Sequence, residues 1–451
     1  MLSFKTAQTI VEPAHSTPVV GEFDVIVLGG GPAGIAAAVS AARLGRTVLL
    51  IERYGFLGGM GTAAGVTNFC GLYANVFGEI RQVVHGVADE ILAGIDKLGG
   101  LNAPHLIFKK TYGRAYDTSA FKIAADELLL SAGVEIVFHA LAVGVVMKDD
   151  ETIRGVVFET KSGRGIALAH MFIDCSGDGD LAAWAGASYE TGDATGNTLY
   201  PSTMFRLNGV DRDRATDASR EIGERMAAAE KEGFRFPRKT PIIKPQKNGS
   251  EWRANVTQLA NADGSAVNGT DALQLSAGEV EGRRQIASVF RFLKTVPGFE
   301  QSYIVDIPPQ VGVRETRRII GGYQLTEADV IDCASFDDTI GVNGWPLELH
   351  EAGDVTFRWQ SIPDSRGFNH LPYRMLVPSR IDNLLVAGRC ASMTHEGQSA
   401  ARVSGGCFVM GQAAGTAAAL AIASHCAPRD IEVPALQARL ERDGAYLGPT
   451  A

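Results

Sequence analysis

At 451 residues the chain exceeds what one hydrophobic core usually serves, and a prior of about 150 residues per domain allows two or three. Its 45% hydrophobic and 21% charged residues exclude a disordered or fibrous chain, and its 52 glycines call for many tight turns or close backbone approaches. A formal charge of −9 argues against a general polyanion-binding surface, so nucleic acid is not an expected partner.

Residues 1–21 contain Pro13, His15 and Pro18 among scattered polar side chains, without the basic start and apolar run of an export signal. They read as an N-terminal extension of a cytoplasmic protein. Val25–Leu28 is then a short apolar strand, followed by Gly29-Gly30-Gly31-Pro32-Ala33-Gly34, an alanine-rich helix, and a second strand, Thr47–Ile51, closed by Glu52. This is the spacing of a dinucleotide-binding βαβ unit. Gly29 permits the turn, Gly31 lets backbone approach a pyrophosphate, and Gly34 lets helix pack on strand. Helix N–H groups then hold phosphate, and the carboxylate about 20 residues on accepts ribose hydroxyls.

Ile80, Val83, Val84, Val87, Ile91, Leu92, Ile95 and Leu98 recur at helical spacing before Gly99-Gly100 and predict an amphipathic scaffold helix. A further helix should run from Thr118-Ser119 to Gly133, into a strand at Val134–Phe138. Val143–Met147, Ile153–Glu159 and Ile166–Ala169 suggest a β-meander, and Met171–Cys175 a return to the main sheet, ending at Gly177-Asp178. From Tyr189 to Asn268 the sequence suggests loops and edge strands. Ser276 with Glu279 suggests a capping box for the helix bearing Ile286, Val289, Phe290 and Leu293, and Thr326 with Asp329 another helix start. Asn383–Gly388 reads as a buried strand. Val403–Cys426 lacks Asp, Glu, Lys and Arg, yet its Gly and Ala content indicates a buried helix rather than a membrane span. Its small residues would let it approach a flat cofactor or a neighbouring backbone. The six cysteines never form CxxC, which argues against a metal site or local redox disulfide and for buried thiols.

The run Phe23–Gly34, continued by Ala37-Ala38 and Ala41–Gly45, resembles FAD-dependent oxidoreductases of the glutathione-reductase-like superfamily. Glu52-Arg53 and Gly58–Thr62 are similar to the branch containing succinate dehydrogenase and fumarate reductase flavoproteins. Val311–Arg318, Leu371–Arg374 and Leu384–Arg389 resemble the broad, mostly bacterial FAD-dependent oxidoreductase family, over nearly the whole chain after Gly21. The resemblance implies FAD rather than NAD. It places Gly29, Gly31, Pro32, Ala33 and Gly34 at the pyrophosphate, Glu52 and Arg53 at the adenosine ribose, Gly59, Met60 and Thr62 near the flavin, and Ala142 at the adenine. It further places Gly177 and Asp178 in a second cofactor motif, and Gly388, Arg389, Gly411, Ala414 and Gly415 beneath the flavin and ribityl chain. Arg389 stands where the superfamily commonly has an acid. No histidine suited to covalent attachment lies at Met60–Thr62, so FAD is expected to be dissociable. No second GxGxxG and no paired cysteines follow, which removes the NAD(P) domain and dithiol relay of disulfide reductases.

The expected fold is α/β: a Rossmann-like FAD domain with a three-layer arrangement, parallel sheet and β-meander, capped by a mixed α+β substrate domain. Residues 22–70, 118–190 and 376–430 would form the first, 71–117 and 191–375 the second, and 431–451 a C-terminal tail. The cap should supply the chemistry. Among Arg314, Arg317 and Arg318, strand alternation puts Arg314 and Arg318 on one side; a guanidinium there could clamp a carboxylate, or simply pair with glutamates. By resemblance, His350, Tyr373 and Arg374 are catalytic candidates, with His395 beyond the Gly388-Arg389 corner, and either histidine could handle a proton. The expected function is hydride transfer between flavin and a small anionic or carbonyl-bearing substrate. The alternatives are a fumarate-reductase-like reductase of activated C=C bonds, or a flavin subunit passing electrons to a protein. The implied partners are a small molecule and an external electron donor or acceptor, with no membrane and with a homo-oligomer left open.

Overall fold

The computed structural model describes residues 9–14 and 16–449; the remainder of the expected N-terminal extension, residues 1–8 and His15, and of the tail, Thr450 and Ala451, lies outside the described residues. β1 (Val19–Leu28), α1 (Pro32–Arg43) and β2 (Val48–Ile51) form the βαβ unit. Val25–Leu28 and all of β2 are buried, as parallel strands covered on both faces must be. α2 (Val87–Lys97) packs on α3 (Thr118–Ser131), whose first turn is capped by Asp117 accepting from the Ala120 N–H. β3 (Glu135–Val137), β4 (Leu141–Met147), β5 (Ile153–Thr160) and β6 (Gly163–Asp174) follow. The sheet runs β3-β2-β1-β6 in parallel, with β5 and β4 continuing antiparallel from β6. The two strands expected at Ile166–Ala169 and Met171–Cys175 are thus one long strand. Its first half, Gly163–Leu168, pairs with the meander, while Ile166–Asp174 lies along β1.

The helix expected from Ile80 begins only at Val87. Glu79–Gln82 instead pairs with Tyr73–Val76 as a hairpin, and Gly86, at φ +72°, breaks any continuation into α2. Val87, Ile91, Leu92 and Ile95 join the hydrophobic core that also contains the main sheet.

A second core surrounds a four-stranded antiparallel sheet. The stretch expected to be loops and edge strands contains β7 (Phe205–Asn208), two helices, α4 (Arg212–Arg220) and α5 (Ile222–Lys231), then β8 (Ile242–Pro245) and β9 (Trp252–Asn255). α4 buries only Ala215 and Ala218, so its apolar stripe is too thin to show as periodicity. α6 (Ala272–Leu293) is capped by Asp271, which accepts from Leu273 and Gln274 N–H groups. The Ser276–Glu279 box is therefore not formed: Ser276 lies inside the helix and donates to the Ala272 carbonyl at 2.7 Å, while Glu279 accepts from the Val311 N–H. The Thr326–Asp329 box does start a helix, Glu327–Ile331. β10 (Tyr303–Asp306) completes the order β8-β9-β7-β10.

The chain returns to the first sheet through β11 (Leu384–Val386), parallel to the end of β6. α7 (Ser404–Ser424) then lies on α1. It is long and apolar enough to cross a membrane, but 78% of its most apolar window is buried inside the structure, as in a core helix. A Cβ on Gly411 would stand 2.1 Å from the Ala33 carbonyl oxygen, and one on Gly415 2.1 Å from that of Ala37. Of the two uses open to its small residues, the helix makes the second, approach to a neighbouring backbone. The expected tail continues as a docked helix, Val433–Arg442, with Leu436 and Leu440 buried.

Because the clash at Gly415 is with main chain, Gly415→Ala should lose about 3 kcal/mol of stability in urea unfolding. Gly223→Ala, where nothing lies within 4 Å, should gain up to about 1 kcal/mol. Equal effects from the two would refute the close crossing of α1 and α7.

Candidate cofactor and substrate site

One cavity of about 490 Å³ runs from the glycine turn to the second sheet. At its first end the turn after β1 is made of backbone set against backbone. Gly29 has φ +98°, and a Cβ there would lie 2.5 Å from the Cys175 carbonyl oxygen; one on Gly34 would lie 1.8 Å from that of Gly29. A Cβ on Gly31 would meet only the Gly59 Cα, at 3.6 Å, so its neighbourhood is cavity rather than packed protein. Gly31 also begins α1 without a side-chain cap, and Pro32 follows it. The helix start is thus left open to a phosphate.

Glu52, 5% exposed, closes that end. Its Oε2 accepts from the Gly30 N–H at 2.7 Å and its Oε1 from the Tyr54 N–H at 2.9 Å, while burial raises its pKa against the pull of those donors. Each oxygen keeps a lone pair for a ribose hydroxyl. The backbone cradle, open helix start and fixed carboxylate are the donor set of an adenine dinucleotide site.

Of the residues expected to hold the cofactor, Gly29, Gly31, Pro32, Ala33, Glu52, Arg53, Gly59, Met60, Ala142, Gly177, Gly388 and Arg389 line this cavity. Six others do not. Gly34 fastens the turn. Thr62 lies behind it, donating to the Leu57 carbonyl at 2.7 Å. Asp178 holds Arg389 instead, accepting from its Nη2 at 2.8 Å and from the Thr316 hydroxyl at 3.0 Å. Burial opposes the ionisation of Asp178, but Arg389 and Arg53 outweigh it and lower its pKa. Gly411 and Gly415 are spent on α1, and Ala414, in the same buried helix, is also off the wall.

The other end gathers the catalytic candidates unevenly. Arg314 and His350 line the cavity; Tyr373, Arg374 and His395 do not. Tyr373 donates to the Pro428 carbonyl at 2.7 Å. Arg374 is half exposed, paired with Asp338 and set against Tyr323 and Phe336. His395 has its Nδ1 2.8 Å from Glu315, a carboxylate that also binds Arg318. The expected alternation of the three arginines fails because the strand starts only at Arg317: Arg317–Ile319. Arg318 is locked to Glu315, Arg317 pairs with Asp180 at 2.8 Å, and only Arg314 reaches the cavity.

Arg314 Nη1 donates to the Tyr200 carbonyl at 2.7 Å and Nη2 to the Ser202 hydroxyl at 2.9 Å. Arg402, at the end of helix His395–Ala401, also lines the cavity, and its buried Nε and Nη2 have no hydrogen-bond partner. Burial and the neighbouring Arg402 and Arg238 push the pKa of Arg314 well down. A group of guanidinium ions so short of counter-charge favours an anionic guest.

His350 lies beside them, with its Nε2 3.0 Å from Glu348 Oε1 and with the Trp345 indole donating to Glu348 Oε2 at 2.9 Å. Burial, then Arg314, holds His350 well below its ordinary pKa, so the ring is neutral at pH 7. Burial opposes charge on Glu348, but the histidine bond, Arg402 and Trp345 prevail and bring it to about 2. A neutral ring that donates Nε2–H to a carboxylate keeps its Nδ1 lone pair as a base. Glu348 was missed as a candidate although it sits two residues before His350 in the strand Leu347–Glu351, on the same face. Burial pushes the Cys70 and Cys407 thiols on the cavity wall up to about 12, so neither is a thiolate at neutral pH.

Since folded His350 refuses a proton that the unfolded chain accepts, stability should fall as pH drops below about 6.5, by up to about 1.4 kcal/mol per pH unit from this group. Urea unfolding of wild type and His350→Asn at pH 7 and 5 checks it. The variant should lose less on acidification, and parallel losses would contradict a buried neutral ring.

The sequence model of a family described as "FAD dependent oxidoreductase" matches residues 24–440. Among curated relatives, a urocanate reductase of Eggerthella lenta is 34% identical over 99 residues, 20% of this chain and 15% of that protein. A thiamine thiazole synthase of Methanococcus vannielii is 33% identical over 143 residues, 31% of this chain and 48% of that protein. These matches thus span less than half the length of either relative. A geranylgeranyl bacteriochlorophyll reductase-like structure from Thermoplasma acidophilum is 15% identical, with a TM-score of 0.47, over 94% of this chain and 83% of that one.

Proposed function

The chain belongs to the FAD dependent oxidoreductase family, and on that premise we propose that it exchanges a hydride between a dissociable FAD and a small anionic substrate. Bound FAD supplies the two-electron redox chemistry. Glu52, Gly31 and the start of α1 would hold its adenosine and pyrophosphate, and Arg389, fixed by Asp178, would lie along it. Arg314 and Arg402 bind the substrate anion and orient it, and the buried walls keep water out. His350 Nδ1 takes the proton released from the substrate as its C–H bond is oxidised, while Glu348 fixes the ring and steadies the imidazolium. The observation that carries this reading is one cavity holding both the dinucleotide cradle and the Arg314–Arg402–His350–Glu348 group.

The partial likeness to a urocanate reductase supports a second direction, reduction of an activated C=C bond. In that case protonated His350 would return the proton and an external donor would reduce FAD. Anaerobic mixing of the FAD-loaded protein with small carboxylates, followed at about 450 nm, separates the two. Bleaching by a saturated compound supports oxidation; reoxidation of the reduced protein by an unsaturated one supports reduction. If only a protein acceptor or donor changes the flavin colour, substrate chemistry at this cavity is wrong.

A further inference from the structure

The outer end of the cavity carries three basic side chains with no part in the redox steps above. They are His105 from strand His105–Ile107, Lys244 from β8 and Arg253 from β9. Lys244 and Arg253 stand directly opposite each other in the β8–β9 ladder, where opposed residues share a face and like charges repel. On the other side of Arg253, Arg206 of β7 continues the row. Arg206 is met by carboxylates of Glu251 at 2.8 Å, Asp306 at 3.3 Å and Asp117 at 3.7 Å. No carboxylate of the described residues forms an ion pair with Lys244, Arg253 or His105.

Arg253 is only 6% exposed, its Nε has no hydrogen-bond partner, and its Nη1 is held by the Val66 carbonyl at 2.8 Å. A buried guanidinium beside a second cation, with neither neutralised, is unfavourable until an anion arrives. Burial and these two cations also push the His105 pKa down to about 4, which leaves the imidazole an unprotonated donor and acceptor at the same spot.

We propose that Arg253, Lys244 and His105 form an anion subsite for a phosphate-monoester group of the substrate, held apart from the bond that reacts beside Arg314 and His350. Two cations match a dianion, whereas a single carboxylate would leave one cation uncompensated. The proposal rests on the cavity being the redox site, but its test needs no turnover.

Inorganic phosphate titrated calorimetrically into the FAD-loaded protein should bind with a Kd on the order of 1 mM, and acetate at least about tenfold more weakly. Lys244→Gln, at an exposed position, and Arg253→Gln should each weaken phosphate at least about tenfold while keeping FAD. A phosphorylated substrate analogue should bind more tightly than its dephosphorylated form in wild type and equally in Lys244→Gln, which distinguishes an ester group from free phosphate. Absence of phosphate binding, equal affinity for acetate, or an unchanged isotherm in Lys244→Gln would overturn the subsite. Loss of redox activity with the phosphate isotherm intact would count only against the redox reading.

Discussion

Gly31→Val should give a folded protein that emerges colourless. At this position a Cβ meets no packed neighbour closer than the Gly59 Cα, at 3.6 Å, and the space beyond is cavity, so the apoprotein should accommodate valine and far-ultraviolet circular dichroism should match wild type. The same side chain would occupy the space that lets a pyrophosphate approach the backbone, which is the function of the middle glycine in such a turn. FAD should bind at least about 100-fold more weakly, a loss of about 3 kcal/mol, as read by fluorescence titration of the apoprotein. Gly34→Val is the contrast. Its Cβ would stand 1.8 Å from the Gly29 carbonyl oxygen, so that variant should fail to fold. A yellow Gly31→Val protein would mean that the cofactor does not lie along this turn.

Arg314→Ala should keep its flavin and lose about 100- to 1,000-fold in kcat/KM, the range seen when one charge-stabilising donor is removed from an active site. Two consequences of its position separate a role at the substrate from mere scaffolding. The anion loses a clamp, so KM for a charged substrate should rise more than for an uncharged analogue. His350 also loses a neighbouring cation that lowers its pKa, so the acidic limb of the kcat/KM profile should move to higher pH. An unchanged pH profile with full turnover would take Arg314 out of the site.

The parts of this molecule legible in sequence are those where local spacing and global packing demand the same thing. Val25–Leu28, the glycine turn and Glu52 are such a case, because turn, strand burial and ribose-type carboxylate are fixed within about 25 residues of one another. Ile80, Val83 and Val84 misled because helical periodicity takes no account of Gly86, whose positive φ separates them from α2. Ser276 has the right partner three residues on, but Asp271 caps the helix earlier. The α4 and α5 helices are so charged or alanine-rich that their apolar faces scarcely register. At the reactive end, Arg314 and His350 could be singled out, yet Glu348 and Arg253 could not. What marks Arg253 is burial without a counter-ion, and what marks Glu348 is a buried bond to His350 along one strand, and neither exists until the chain has folded. Tyr373 and Arg374 attracted notice through their motif, and the structure shows both fastening backbone and surface away from the cavity.

The crossing of α1 by α7 also sets an order of events during synthesis. Ala33 and Ala37 leave the ribosome early, but the Gly411 and Gly415 surfaces against which they close are translated hundreds of residues later, as is the strand Leu384–Val386 that covers β6. The nucleotide cradle is therefore incomplete on a nascent chain until those later segments are made, and holoenzyme maturation should wait on that long-range closure.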